Sequence, residues 1–175
     1  MMSVSDLPYS KKVKLAEVPA AGAHLCLALD DAERAQLARH VRIPAILSLT
    51  AEITVKLAGQ GAHVAGRLHA EVQQISVVTL EPIAATVDEA FEVHFLPEEK
   101  IVPRPSDEQD ADLDFDPPDA IVDGAVDVGA LMTEFLSLGL DPYPRAPGEE
   151  FEAPAEGSPD AMSPFAALAK LKDKS

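Results

Sequence analysis

The sequence predicts an α+β fold, built from an antiparallel β-meander or a small, partly open barrel with two or three short helices and an acidic disordered loop. Three features of the 175-residue chain support this prediction. Apolar and polar residues alternate in successive runs between positions 47 and 95, as in half-buried antiparallel strands. Two stretches outside these runs carry helix-start and helix-stop residues. Residues 98–123 combine prolines with acidic residues, a composition typical of disorder.

Composition narrows the classes of function. Apolar residues make up 47% of the chain, enough for one core, and thirty acidic residues against fourteen basic ones give a formal net charge of −16. Such a surface repels phosphate backbones, so contact with nucleic acid would need a local basic cluster or a basic protein partner. The first residues lack the apolar region of a secretory signal, and no apolar run approaches the length needed to span a bilayer. Cys26 is the single cysteine, so no disulfide can form within the chain, as is typical of proteins in a reducing compartment. We therefore predict a cytoplasmic protein without a membrane segment.

The first elements are two short strands. Val13 and Leu15 alternate with lysines, and residues 23–29 form a second apolar run with leucines at every other position. Cys26 lies among these leucines without a neighbouring base. We expect it to be a buried structural thiol and not a nucleophile, because activation requires groups that stabilise the thiolate.

A helix should follow the second strand. Asp30 and Glu33 have the spacing of a capping box, in which each side chain accepts a hydrogen bond from the other residue's backbone N–H. The helix should run to about His40. Ile43 precedes Pro44, and a residue in that position avoids the α region, so the helix cannot continue past it.

The meander itself is the clearest pattern in the sequence. Residues 47–57 alternate between apolar and polar with period two, and residues 58–61 contain the glycines of a hairpin turn. Residues 64–72 continue the alternation, and residues 87–95 form a third strand. The phase breaks at Gln73-Gln74 and resumes with Ile75 and Val77, which predicts a β-bulge at the two glutamines.

The segment after the meander changes character. Residues 98–123 hold ten acidic residues against Lys100 and Arg104, which accounts for half of the net charge. They bury too little apolar surface to offset the entropy of ordering, so we predict a mobile loop. Ile121 and Val122 should form a short strand near its end.

A second helix and the domain division follow from the remaining residues. Asp127 is a suitable N-cap for a helix to about Leu138, which Gly139 and Pro142 would end. We predict one α+β domain over residues 1–141, a flexible linker of proline and acidic residues over 142–162, and a short C-terminal amphipathic helix over 163–172. That helix is too short to be stable without docking on this protein or a partner.

No catalytic or metal-binding constellation is apparent, so we predict a protein that is not an enzyme and needs no cofactor. The five histidines lack the short spacings of metal ligands; they are His24, His40, His63, His69 and His94. Ser76 has no glycine elbow around it. Tyr143 and Arg145 are the best binding candidates, because an exposed aromatic and a guanidinium suit stacking and phosphate or carboxylate contact. The alternative is a proline-fixed turn whose tyrosine packs on the helix.

Four blocks of sequence, in order, resemble one family. They are Val77-Val78-Thr79-Leu80-Glu81-Pro82, residues 127–138, Asp141-Pro142-Tyr143-Pro144-Arg145 and residues 164–171. Over about residues 10–172 the chain is similar to the bacterial YceD family of large-subunit ribosomal RNA accumulation proteins. The resemblance implies a role in the synthesis, processing or stability of 23S ribosomal RNA, without known catalytic residues. Many members carry a cysteine where Ser76 stands, and some have further cysteines suggestive of a metal, which this chain lacks at those positions.

Two mechanisms would serve that role. One is direct contact with 23S ribosomal RNA through exposed basic residues, for which the candidates are Lys11, Lys12, Lys14, Arg67, Arg145, Lys170 and Lys172. The other is escort of a basic large-subunit ribosomal protein, with the acidic segment 98–123 mimicking phosphate; the net charge favours this second mechanism. A metal-independent RNA-processing enzyme and a general protein-interaction module unrelated to ribosomes are the alternatives. The sequence leaves the oligomeric state open.

Overall fold

The computed structural model describes residues 9–101 and 118–149. Seven strands and two α-helices follow one another in the order β1 Lys12–Lys14, β2 Ala23–Ala28, α1 Asp31–His40, β3 Ala45–Ala58, β4 Gly61–Ile75, β5 Pro82–Pro97, β6 Asp119–Ile121, β7 Ala125–Asp127 and α2 Val128–Gly139. Short 3-10 helices at Leu15–Glu17 and Glu98–Lys100 complete the described elements. The predicted α+β class is confirmed.

Five strands form one sheet in the order β2-β3-β4-β5-β6, in which all neighbours are antiparallel except β5 and β6. In the described residues, β2 and β6 are the two edges of this sheet and do not pair with each other, so it is an open meander and not a closed barrel. A separate two-stranded sheet pairs β1 with β7. The large sheet therefore consists mainly of the three long strands that the alternating pattern predicted.

One face of the meander carries the core. Inward side chains of β3, β4 and β5 are almost fully buried, and those of α1 and α2 join the same cluster, including Leu37, Leu49, Ile53, Val55, Val64, Leu68, Met132 and Leu136. Burying each such side chain contributes about 1.5–3 kcal/mol. Helix α1 contacts β3, and α2 contacts β4 and β5, so both helices cover one face and leave the other face polar and exposed.

The β-bulge lies on a different strand from the one predicted. Strands β4 and β5 pair without a register shift through Gln73 and Gln74, whereas the register of β3 against β4 shifts between Ile46 and Ser48. Leu47 is therefore the extra residue and is 49% exposed, while Ile46 is buried. The prediction was wrong because it assumed that buried positions are apolar.

Polar side chains occupy the core-facing positions at the end of β4. Gln74 and Ser76 are buried, and Ile75 and Val77 are exposed, so the period of two continues unbroken. The Gln74 Nε2 donates to the carbonyl oxygen of Asp141 at 2.9 Å, which offsets the cost of burying the amide.

Helix α1 starts and ends where the sequence predicted. Glu33 N donates to Asp30 Oδ1 and Asp30 N donates to Glu33 Oε2, each at 2.9 Å, which completes the capping box. Cys26, by contrast, is exposed, and the prediction of a buried thiol was wrong. Leu25 and Leu27 point toward the core from β2, so the residue between them must point to the polar face.

Helix α2 is capped by Asp127, as predicted. Its carboxylate accepts from the backbone N–H groups of Gly129 and Ala130, and also from Lys11 N at 2.8 Å and the hydroxyl of Ser10. Phe135 of α2 stacks on Phe91 of β5 with ring centroids 4.7 Å apart, anchoring the helix on the sheet.

Several predicted features fall partly or wholly outside the described residues. These are positions 102–117 of the mobile acidic loop, positions 150–162 of the linker and the C-terminal helix over 163–172. The division into a domain, a linker and a terminal helix stays a prediction. None of the helices in the described part of the chain is long and apolar enough to cross a membrane.

Candidate interaction surface at the loop between β4 and β5

The loop between β4 and β5, residues 76–81, is organised by one serine. Ser76 N donates to the carbonyl oxygen of Glu81, and Leu80 N donates to that of Ser76. The buried Ser76 hydroxyl oxygen accepts from the N–H groups of Val78 at 3.1 Å and Thr79 at 3.3 Å. Short hydroxyl side chains often fix turns in this way, since they substitute for backbone acceptors.

The chain that leaves α2 packs against this loop. Val77 N donates to the carbonyl oxygen of Pro144 at 2.9 Å, and Pro144 is buried. Asp141 fixes the position of this segment next to the loop, because its carbonyl oxygen accepts from Gln74 and its carboxylate accepts from Tyr143 N at 2.8 Å. The chain bends at residues 142–143, and Tyr143 is 70% exposed, so its side chain is not buried against α2.

Glu149 joins the two segments. Its carboxylate accepts from the Ser76 hydroxyl at 2.5 Å, from Ala146 N at 2.9 Å and from the Thr79 hydroxyl at 3.1 Å. The hydrogen bond from Ser76, then that from Ala146 and more weakly that from Thr79, lower the pKa of Glu149 from its usual value of 4.5. The ionised Glu149 carboxylate therefore adds to the hydrogen bonds from Val77 and Gln74 that hold residues 141–149 on the loop.

The result is a firmly held loop with apolar side chains in solvent. Leu80 is 75% exposed and has a φ of +62°, in the left-handed region that non-glycine residues rarely adopt. Exposed apolar groups on a fixed backbone are typical of interaction sites. We name the set of exposed residues on the two hydrogen-bonded segments the loop surface: Ile75, Val77, Leu80, Tyr143 and Arg145.

The other predicted binding residues lie elsewhere. Lys11, Lys12 and Lys14 are exposed on or next to β1, in the two-stranded sheet. Arg67 lies on the polar face of the large sheet, where its Nε donates to Asp88 at 2.6 Å and this bond lowers the pKa of Asp88. Lys170 and Lys172 are outside the described residues. Tyr143 and Arg145 are thus exposed on one segment, whereas the other described basic candidates lie on other elements.

The donors in this loop do not fit a thiolate metal site. The hydroxyl groups of Ser76 and Thr79 are hydrogen-bonded to Glu149, and that of Ser76 also accepts from the backbone. The single cysteine, Cys26, is on β2 and not in this loop. Within the described ranges, one group of side chains has the composition of a metal site, namely His63, Glu92 and His94 on the polar face of the sheet. No local spacing in the sequence indicates this group, because the two histidines are 31 positions apart and meet only through the pairing of β4 with β5.

A sequence model described as "Large ribosomal RNA subunit accumulation protein YceD" matches residues 64–172, which is more than half of the chain. The chain belongs to the YceD family. The matched region of this YceD-family protein includes β4 from Val64 onward, β5, α2 and the whole loop surface, and it excludes β1 to β3 and α1. The family's description concerns accumulation of the large-subunit ribosomal RNA and names no enzymatic reaction. Searches of curated proteins and of solved structures found no significant match.

Proposed function

We propose that this protein is a non-catalytic factor that promotes accumulation of 23S ribosomal RNA by binding a basic protein of the large ribosomal subunit through the loop surface. The observation that supports this proposal most directly is the conformation of Leu80. Its side chain is exposed to solvent and its backbone is held at positive φ by hydrogen bonds within the family-matched region. A backbone of this kind costs about 1–3 kcal/mol and persists where the surrounding contacts fix it, often at functional sites.

The composition of the loop surface favours a protein over RNA. Its exposed side chains are three aliphatic residues and one tyrosine, with Arg145 as the one basic member. Interfaces between proteins commonly have an apolar and aromatic centre, whereas RNA contacts depend on several lysines or arginines that neutralise phosphates. The acidic neighbours Glu81 and Asp141 would add charge complementarity to a basic protein.

The test uses a matched pair of substitutions in the full-length protein. Leu80→Asn removes the apolar group at a position whose backbone asparagine tolerates, and Leu57→Asn makes the same chemical change at a 50%-exposed leucine outside the family-matched region. Loss of an exposed hot spot at an interface costs about 2 kcal/mol, or roughly thirtyfold in Kd. We expect Leu80→Asn, but not Leu57→Asn, to reduce recovery of large-subunit proteins with the tagged protein and to lower the ratio of 23S to 16S ribosomal RNA in cells.

Two results would overturn the proposal. Equal recovery of large-subunit proteins with the wild type and with Leu80→Asn would show that the loop surface does not contribute to the interaction. Binding of the purified protein to isolated 23S fragments, with a steep salt dependence that is lost when Lys11, Lys12 and Lys14 are replaced, would assign the role to RNA contact through β1 instead.

A further inference from the structure

The polar face of the sheet brings together three side chains that are dispersed in the sequence. His63 near the start of β4 is directly opposite His94 near the end of β5. Glu92 is two residues before His94, so it projects from the same face of the strand. Cross-strand neighbours have Cβ atoms about 4.5–5.5 Å apart, which is close enough for their ring nitrogens to share one ion.

The distances between ligand atoms are near those of a metal site. His63 Nε2 lies 2.7 Å from Glu92 Oε1, the ring centroids of His63 and His94 are 4.8 Å apart, and one ligand atom from each of the three residues lies within 4.8 Å of the others. Metal–ligand bonds of about 2.0–2.2 Å in tetrahedral geometry place ligand atoms about 3.4 Å apart. Rotations that move these atoms by about 1 Å would therefore suffice, and the exposed side chains of Glu92 and His94 can make them.

The donor set selects the class of ion. Two imidazoles and one carboxylate suit zinc and other late first-row divalent ions, whereas magnesium and calcium prefer oxygen ligands alone. The His63 side chain is only 25% exposed and already hydrogen-bonded, so part of the site is fixed in advance, while the 67%-exposed Glu92 keeps it open to solvent.

One neighbouring charge opposes binding. Lys56 of β3 pairs with His63 on the side away from β5, and its exposed ammonium adds a positive charge to the same face. The flexible side chain can extend into water, so we expect it to weaken the site without blocking it. Affinity should therefore be lower than in structural zinc sites with four protein ligands.

We propose that His63, Glu92 and His94 bind one zinc ion or a similar divalent transition-metal ion, with water at a remaining position. The ion joins the start of β4 to the end of β5, at the opposite end of β4 from the loop surface. Thirteen residues of extended chain separate His63 from Ser76, which is about 40 Å. The metal site is therefore independent of the proposed protein-binding function.

Zinc chloride titrated into the chelator-treated full-length protein, followed by calorimetry, tests the site. We expect one saturable equivalent in the wild type and at least a tenfold loss of affinity in His63→Ala, in His94→Ala and in Glu92→Gln. His69→Ala is the matched control, because His69 is an exposed histidine on the same face of β4 and belongs to no such group among the described residues. Zinc should also raise the Tm of the wild type but not that of His94→Ala.

The outcomes separate this site from other metal-binding groups in the chain. Unchanged affinity in both histidine variants, or an equal loss in His69→Ala, would show that the ion binds elsewhere and would overturn the proposal. Absence of saturable binding to the wild type would overturn it directly. Glu92→Gln preserves side-chain shape and guards against variants that fail to fold, and matching metal-free Tm values would establish that folding is intact.

Discussion

At the scale of single residues, Ser76 and Glu149 help to join the two segments of the loop surface. Ser76 is fully buried at a position where the alternation of β4 calls for an apolar side chain, and each of its polar contacts is local or directed to Glu149. A buried hydroxyl is tolerated only when it is hydrogen-bonded. The serine therefore couples the end of β4 to a segment 73 positions away.

This coupling should depend on pH. The pKa of Glu149 is lowered in the folded state, so its contribution to holding residues 141–149 is complete above its ordinary value of 4.5 and is lost as the pH falls through the lower folded value. We expect the protection factor of the Val77 N–H, which donates to Pro144, to fall below pH 4.5 in the wild type, after correction for the intrinsic pH dependence of amide exchange. Glu149→Gln should already show this reduced protection at pH 7.

The control for this prediction is Glu98→Gln, which removes an exposed carboxylate in the 3-10 helix after β5. It should leave the protection factor of the Val77 N–H equal to that of the wild type at every pH. Identical exchange at pH 7 in the wild type and in Glu149→Gln would contradict the assigned role of Glu149.

At the scale of elements, the start of α2 is packed against the segment that precedes β1. A Cβ atom added at Gly129 would lie 2.5 Å from Lys11 N and 2.9 Å from Tyr9 Cδ1, both closer than packed atoms allow. Glycine is present because the N-terminal segment passes directly over the first turn of the helix.

Gly129→Ala should therefore destabilise the protein, although the same change in an open helix stabilises by about 1 kcal/mol. Displacing backbone atoms in a packed region costs roughly 1–3 kcal/mol, which exceeds the gain in helix propensity. Denaturant unfolding measures the difference, and Ala130→Gly gives the ordinary propensity cost at the next position. An increase in the free energy of unfolding in Gly129→Ala would show that the segment over residues 9–11 is not packed on α2.

The same scale shows what sequence patterns can predict. Period-two alternation and local capping residues identified β3, β5, α1 and α2, because those patterns depend on neighbours in sequence. The bulge was misplaced because Gln74 is buried with a distant backbone partner, which no local pattern reveals. The group of His63, Glu92 and His94 was missed because it depends on strand register. Aligning β4 and β5 about their connecting loop would have revealed it.

At the scale of the whole molecule, the formal charge of −16 sets the long-range interaction with any partner. Opposite net charges accelerate encounter and are screened by salt, with a Debye length of about 10 Å at 0.1 M. We therefore expect the Kd for a basic large-subunit protein to rise several-fold between 50 and 300 mM salt, chiefly through slower association, as measured by surface plasmon resonance. A Kd that is constant over this range would restrict recognition to the apolar contacts of the loop surface.

The hydrogen bond between Lys11 N and Asp127 spans 116 positions, and it sets an order of events during synthesis. The meander can pair as soon as its three long strands have left the ribosome, because their connections are short. Strand β1 must wait until β7 emerges, since β7 is its pairing partner in the described sheet. The same carboxylate caps α2, so its contacts couple the ordering of β1 to that of α2. Strand β1, which is translated before the meander, is thus expected to pair only after the meander has formed.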